Sequence, residues 1–433
     1  MNLMAKLAAL TADNKQVRAG LIGAGKFGSM FLNQVPTTQG LTVSVISDLS
    51  PERAMAACKH IGWDDARIAA TDFIDDGAAL CARDDVDVVL EITGSPAAGI
   101  AHALAAFENG KHIIMVNVEA DVLAGAALAK RAASAGVIYS MAYGDQPALT
   151  CELVDWARAS GFKVVAAGKG TKYLPQYHAV TPDDVWQHYG MTAPEADAAG
   201  MNPQMFNSFL DGTKSGIEMC AIANACDLNV PEAGLSFPPC GVDDLQRVLR
   251  PRSAGGILEH EGMVEVVSSL KRDGTLVDRD LRWGVYVVFK APNDYAANCF
   301  KQYGMITDDT GQYASLYRPY HLIGLELGIS ALNAVLRQEA TGATRRFNGD
   351  AVAVAKRDLK TGEQLDGEGG YTVWGRACPA TKSKAMGALP IGLAHDVTLK
   401  CDVPLGHVVT FEDVDVVEKS LSVQIRREAE ALI

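Results

Sequence analysis

The 433-residue chain is 48% hydrophobic and 21% charged, the composition of a folded globular protein, and it is too long for one ordinary core, so two or three domains are expected. Its net charge of −13 excludes non-specific binding to nucleic acid or to anionic membrane, and no apolar run is long enough for a membrane span. The nine cysteines are odd in number, scattered and without CxxC or zinc-ligand spacing, which predicts a reduced, cytoplasmic protein.

Residues 1–15 have a helical period interrupted by Lys6 and no convincing cleavage site, and read as a helical arm. Residues 16–145 alternate strand and helix. "VRAGLIGAG" is a buried strand entering a glycine turn, "LTVSVISD" is a second strand, and "VDVVLEITG", "KHIIMVNVEA" and "GVIYSMAYG" are three more. Between them lie helices such as "SPERAMAACKHIG", with Ser50 at the N-cap, Pro51 at the first helical position and Glu52 in the first turn. This alternation predicts a parallel sheet covered on both faces. Residues 146–340 read as an α+β domain with an open mixed sheet. Its strand "KVVAAGKGT" is followed by a hairpin of "GMVEVVSSL" and "LRWGVYVVFK" through an Asp273-Gly274 turn, and by a long closing helix, "HLIGLELGISALNAVLRQE". Residues 341–433, with short strands and many glycines, predict a small β-rich module.

Gly23-Ala24-Gly25-Lys26-Phe27-Gly28 follows a strand and opens a helix, the setting in which G-x-G-x-x-G binds a dinucleotide. Gly23 permits the tight turn, Gly25 lets the backbone approach a pyrophosphate, and Gly28 allows close helix–strand packing. The diphosphate is expected over the helix N-terminus. Asp48 ends the second strand, where an acid binds the adenosine ribose and favours NAD. Ser47, Ser50 and Arg53 nevertheless offer a setting for a 2′-phosphate if Asp48 turns away. Thr93, Gly94 and the stretch from Asn117 to Glu119 should border the nicotinamide, because ligands bind beyond the carboxyl ends of parallel strands.

In "DGTKSGIEM", Asp211, Lys214 and Glu218 introduce an apolar, small-residue helix and share one stripe at about 100° per residue. Asp211 reads as the N-cap, and Lys214 as a functional base tuned by Glu218. Lys before Glu is the less favoured order for a surface i,i+4 pair, and the rest of the helix is too apolar for a surface face. Lys169 and Lys172 in "GKGTKY" lie three apart on a strand and point to opposite faces, so one enters the pocket, and Lys172 is the expected one. Arg318 and His321 in "YRPYH" are placed at the start of the closing helix, a setting suited to phosphate. His178 and His188 flank "TPDDVW" and read as polar surface.

The first two regions resemble homoserine dehydrogenases, a Rossmann domain followed by an α+β domain that binds substrate and dimerises. The chain departs from that family at "VNVEAD", where Val118 and Glu119 stand in place of an "NK" pair, and at "YGDQP", with Asp145 in place of a glycine-rich loop. The set "EITGSP", "VNVEAD", "YGDQP", "GKGTKYLP", "DGTKSGIEM" and "YRPYH" resembles, over essentially the whole chain, the DXR-like proteins. These reductively isomerise 1-deoxy-D-xylulose 5-phosphate to 2-C-methyl-D-erythritol 4-phosphate in the methylerythritol phosphate pathway of isoprenoid precursor synthesis. The tail, from "AKRDLKTGEQLDGEGGY" through "LPIGLA" to "TFEDV", resembles a SAF domain, a β-clip module. The resemblance implies NADPH as cofactor, with NADH not excluded on Asp48, and Mn²⁺ or Mg²⁺ as a Lewis acid on the ketone and adjacent hydroxyl. Oxygen ligands suit such ions, so Glu119, Asp145 and Glu218 are the candidate ligands. It also implies a phosphorylated ketose substrate and a homodimer. Lys214 is then expected to protonate the carbonyl oxygen or to bind phosphate, with Lys172, Asp211, Arg318 and His321 completing the site. Two other readings compete. One is an NAD(P)-dependent dehydrogenase of a homoserine-like or sugar-derived substrate, and the other is a non-enzymatic, dinucleotide-dependent regulatory protein.

Overall fold

The computed structural model describes residues 2–433. The chain forms two compact units. One holds the chain up to Glu152 with His321–Arg345 and Gln424–Ala429, and the other holds Leu153–Tyr320, Arg346–Val423 and Glu430–Ile433. No helix among the described residues is long and apolar enough to cross a membrane.

In the first unit, β1 (Val17–Ile22), β2 (Leu41–Ser47), β3 (Asp72–Ile74), β4 (Val88–Glu91), β5 (His112–Met115) and β6 (Tyr139–Met141) form one parallel sheet in the order β3-β2-β1-β4-β5-β6. The strand order reverses between β1 and β4, which opens a crevice at their carboxyl ends. All four residues of β4 are buried, as a strand covered on both faces requires. The N-terminal arm is a helix, Leu3–Ala12, and it is not detached, since Leu7 is buried in the core with Phe31 and Leu32. "KHIIMVNVEA" is not one strand. It ends at Met115, and Asn117 caps a helix, Val118–Ala135, by accepting from the Ala120 N–H, so Glu119 lies in a first helical turn. The long helix expected from His321 begins only at Gly328. Gly324 has φ +80°, a left-handed backbone that interrupts an α-helix, and residues 323–327 form turns. The helix Gly328–Arg337 then buries Ala331, Leu332 and Ala334 against Leu21 and Leu90 of the sheet.

Asp121 is buried in this unit and accepts from the Tyr139 hydroxyl at 2.8 Å and the Thr344 hydroxyl at 2.9 Å. Burial pushes its carboxyl up to about 6 despite these two donors. A raised carboxyl favours folding while protonated in both states, and that stability is lost as pH rises from about 4 through about 6. The shift of about two units corresponds to about 3 kcal/mol. Asp121→Asn is therefore expected to gain on the parent by about that amount between pH 4 and 7 in paired denaturant titrations. Parallel stability–pH curves for parent and variant would remove this carboxyl from the balance.

In the second unit, β7 (Lys163–Thr171), β8 (Met263–Ser268), β9 (Val285–Lys290) and β10 (Tyr313–Arg318) form a mixed sheet in the order β10-β9-β7-β8. The expected hairpin of β8 and β9 does not form. β7 lies between them, parallel to β8 and antiparallel to β9, and only a short antiparallel pairing of Leu270 with Leu276 closes around Gly274. The reason is in β7. A Cβ on Gly168 would lie 1.9 Å from the Glu265 carbonyl oxygen, and one on Gly170 would lie 2.0 Å from that of Leu281. Glycine at both positions lets the neighbouring chain close on the central strand.

Residues 346–423 contribute β11 (Gly349–Ala355), β12 (Gln364–Asp366), β13 (Val373–Pro379) and β14 (His395–Thr398), paired antiparallel as β11 with β13 and β12 with β14. The helix Thr213–Cys226 packs against β7 and β8 on one side and β11 and β13 on the other. At Gly216 a Cβ would meet the Gly375 carbonyl oxygen at 2.7 Å. Farther along, the Asn224 side chain accepts from the Asn348 and Gly349 N–H groups and donates to the Gly349 carbonyl. The helix is therefore wrapped on all sides. Every residue of it is buried except Lys214.

Candidate active site

The glycine turn has the geometry a dinucleotide needs. Gly23 has φ +99°, and a Cβ on Gly28 would lie 2.4 Å from the Gly23 carbonyl oxygen, so the helix Lys26–Gln34 starts tight against the turn. At Gly25, the residue before that helix, a Cβ would meet nothing within 4 Å. The backbone there is open to a phosphate, and Ala24, Lys26 and Phe27 complete the turn. Gly25→Val should thus leave the fold intact and weaken NAD(P)H binding about tenfold or more, while Gly28→Val should destabilise the unit. Cofactor titration beside thermal melting checks this, and unchanged affinity for Gly25→Val would place the diphosphate elsewhere.

Asp48 is buried at the end of β2. Its carboxylate accepts from the Ala24 N–H at 2.9 Å, the Ser50 N–H at 3.2 Å and the Arg53 guanidinium at 2.7 Å. Burial pushes the carboxyl up, but these donors, the Ala24 N–H first, outweigh it and hold the group below the usual carboxylate range. Arg53 reaches Asp48 from an otherwise exposed side chain, with Ser50 capping the same helix, Pro51–His60.

At the carboxyl ends of β4 and β5, the Asn117 side chain donates to the Ser95 carbonyl at 2.8 Å and reaches the Thr93 hydroxyl at 3.4 Å. That hydroxyl donates to Glu91, which is buried and also lies 3.2 Å from His102. Thr93 and Asn117 are among the residues expected here from sequence, and Glu91, the one acid in the apolar strand β4, is not. Gly94 follows Thr93 with φ +72°. Asp145 is buried at the start of the helix Gln146–Ala159, where its carboxylate accepts from the Gln146 N–H.

The charges of "DGTKSGIEM" have separate roles. Asp211 is not the N-cap of the Thr213–Cys226 helix, because Gly212 holds that place with φ +94°. Asp211 still accepts from the Thr213 N–H at 2.8 Å, and its other oxygen lies 2.7 Å from the buried Lys356 ammonium. Lys356 also donates to the Val180 and Gly370 carbonyls, so this pair joins three segments and is structural. Glu218 forms a buried ion pair with Lys169 of β7. Lys169 thus faces the helix while Lys172, just past the end of the strand, lines a cavity of about 570 Å³. Burial, and then Arg282, pull the Lys172 ammonium below the usual lysine range. Lys214 is the helix's one partly accessible side chain.

Arg318 ends β10, with its guanidinium 5.6 Å from the Tyr320 ring, and His321 lies in irregular chain ahead of the turns that precede Gly328. Neither starts a helix, contrary to expectation. His178 is not surface either. Its ring stacks on Trp374 at 3.8 Å, Nδ1 lies 2.6 Å from the Asp211 carbonyl oxygen and Nε2 lies 2.9 Å from the Tyr173 hydroxyl. Burial lowers its pKa, and a carbonyl facing Nδ1 requires the proton on that nitrogen. Glu119, Asp145 and Glu218 are not assembled as a metal site. Among the described residues no group of three or more His, Cys, Asp or Glu is placed to hold a metal ion.

Residues 17–143 match the family model described as an oxidoreductase family NAD-binding Rossmann fold, and residues 144–327 match that of the oxidoreductase DRL catalytic domain. A homoserine dehydrogenase of Neisseria gonorrhoeae is 32% identical over 112 residues, 24% of this chain, and the chain spans only 23% of that relative's length. Among solved structures, a probable dehydrogenase from Thermotoga maritima is 15% identical with a TM-score of 0.33, covering 71% of this chain and 70% of that one. A myo-inositol dehydrogenase from Lactobacillus casei is 18% identical with a TM-score of 0.29, covering 39% and 50%. With a Rossmann glycine turn open to a diphosphate and two adjoining oxidoreductase matches, the chain is an NAD(P)-dependent oxidoreductase.

Proposed function

We propose that the chain uses NADPH to reduce a phosphorylated hydroxyketone, converting 1-deoxy-D-xylulose 5-phosphate to 2-C-methyl-D-erythritol 4-phosphate. The observation that carries the reading is the DRL catalytic-domain match over residues 144–327, which contains a buried helix with one accessible lysine. The sequence motifs that resemble the DXR-like proteins lie in this segment and in the Rossmann domain before it. On the same reading the β11–β14 segment is a SAF-like module and the protein works as a homodimer.

The rearrangement shifts one carbon–carbon bond, so that the ketone carbon becomes an alcohol carbon and a neighbouring hydroxyl carbon becomes an aldehyde. A dinucleotide whose diphosphate was held at the glycine turn, with its nicotinamide beside Thr93 and Asn117, would supply a hydride to that aldehyde carbon. The proton goes to its oxygen, and Lys214 is the group assigned to deliver it. Glu218 and Lys169 neutralise one another one helical turn along, so no bare buried charge opposes the Lys214 ammonium. Because no donor set for a metal is assembled among the described residues, no step here runs through a metal ion.

The test follows NADPH and NADH oxidation with 1-deoxy-D-xylulose 5-phosphate and with aspartate semialdehyde, after chelation and again with added Mn²⁺ or Mg²⁺. Turnover of the ketose phosphate with NADPH preferred is expected. Turnover of aspartate semialdehyde alone would replace this reading with a homoserine-type dehydrogenase.

A further inference from the structure

The cavity of about 570 Å³ in the second unit brings together two cations from separate segments. Lys172 follows β7, and Arg282 precedes β9. The Lys172 ammonium donates to the His188 carbonyl and lies 5.9 Å from the Tyr189 ring. The Arg282 guanidinium lies 4.6 Å from the Trp283 ring. Among the described residues neither cation has a carboxylate within 4.0 Å. Asp280, the acid on the cavity wall, accepts from the Arg282 backbone N–H instead of pairing with its side chain. Ser269 and Tyr177 add hydroxyl groups to the same wall. Two cations sharing one partly buried cavity repel each other, and a small dianion relieves that repulsion while accepting hydrogen bonds from both.

We infer that this cavity is an anion site for a phosphate monoester, with Lys172 and Arg282 as its two charged donors. The inference rests on the proposed phosphorylated substrate for its biological meaning, but the site is defined by its own residues. It assigns the phosphate to Arg282, a residue that no sequence motif flagged, rather than to Arg318 or His321. An arginine fork held beside an indole can present two parallel N–H groups to phosphate oxygens, and the lysine adds a point charge.

The test is calorimetric titration of the full chain with inorganic phosphate at constant ionic strength, in saturating NADPH so that the glycine turn is occupied. Saturable binding is expected, competed by sulfate and not by chloride. Arg282→Gln and Lys172→Gln should each weaken it about tenfold or more, at unchanged melting temperature. Arg318→Gln should leave it unchanged. Absence of binding, or binding indifferent to Arg282→Gln and Lys172→Gln, would overturn the inference. Phosphate binding that needs both residues, without turnover of 1-deoxy-D-xylulose 5-phosphate, would sink the proposed reaction and leave the site standing. Turnover with a KM indifferent to Arg282→Gln would do the reverse.

Discussion

Replacing Lys214 with alanine is expected to lower kcat about a hundredfold or more while the chain stays folded. Lys214 is the single residue of the Thr213–Cys226 helix that is not buried, so truncation removes little packed surface. Alanine is also the best helix former, so the backbone loses nothing. On the proposed reaction, what the variant lacks is an ammonium to meet the oxygen that takes up charge as the carbonyl is reduced. Lys214→Arg keeps the charge but changes its shape and its acidity, and should recover binding more than turnover. Steady-state kinetics beside a melting curve checks both. A kcat within a few-fold of the parent would remove Lys214 from the chemistry.

The second large effect is on stability. Glu218→Ala removes the carboxylate facing the Lys169 ammonium in a region where both side chains are buried. Breaking a buried pair from one side costs about 3–5 kcal/mol, because a charge is left in low dielectric without this counter-charge. Replacing both partners together, as Lys169→Met with Glu218→Leu, should recover most of that loss, since a matched apolar pair needs no compensation. A double-mutant cycle in denaturant measures the coupling directly. Additive losses would show that the two groups do not depend on each other in the folded state.

Local chemistry made the cofactor turn legible. A strand, three glycines at fixed spacing and an acid at the end of the next strand are all set within a single βαβ unit, and each residue acts where its neighbours in sequence place it. The buried helix was legible as buried, because its Ala, Ile, Met and Cys content leaves no polar face. Its partners were not. Asp211 meets Lys356, 145 positions away, and Glu218 meets a lysine from a strand, so a helical stripe suggested one shared face where the structure has several. The expected β8–β9 hairpin failed for a related reason. Alternation and a tight turn were present, but neither shows that the glycine-bearing β7 inserts between the two strands. Arg282 escaped notice because it has no motif, and only the fold brings it to Lys172.

The central claim is hydride transfer from a nicotinamide to the aldehyde carbon formed when a phosphorylated ketose rearranges. Its most direct measurement uses NADPH deuterated at the transferring position of C4, with 1-deoxy-D-xylulose 5-phosphate and the full chain, and reads the product by mass spectrometry. Deuterium is predicted in the 2-C-methyl-D-erythritol 4-phosphate formed, in proportion to the NADPH oxidised. NADPH left unconsumed, or a product free of deuterium, would contradict the account.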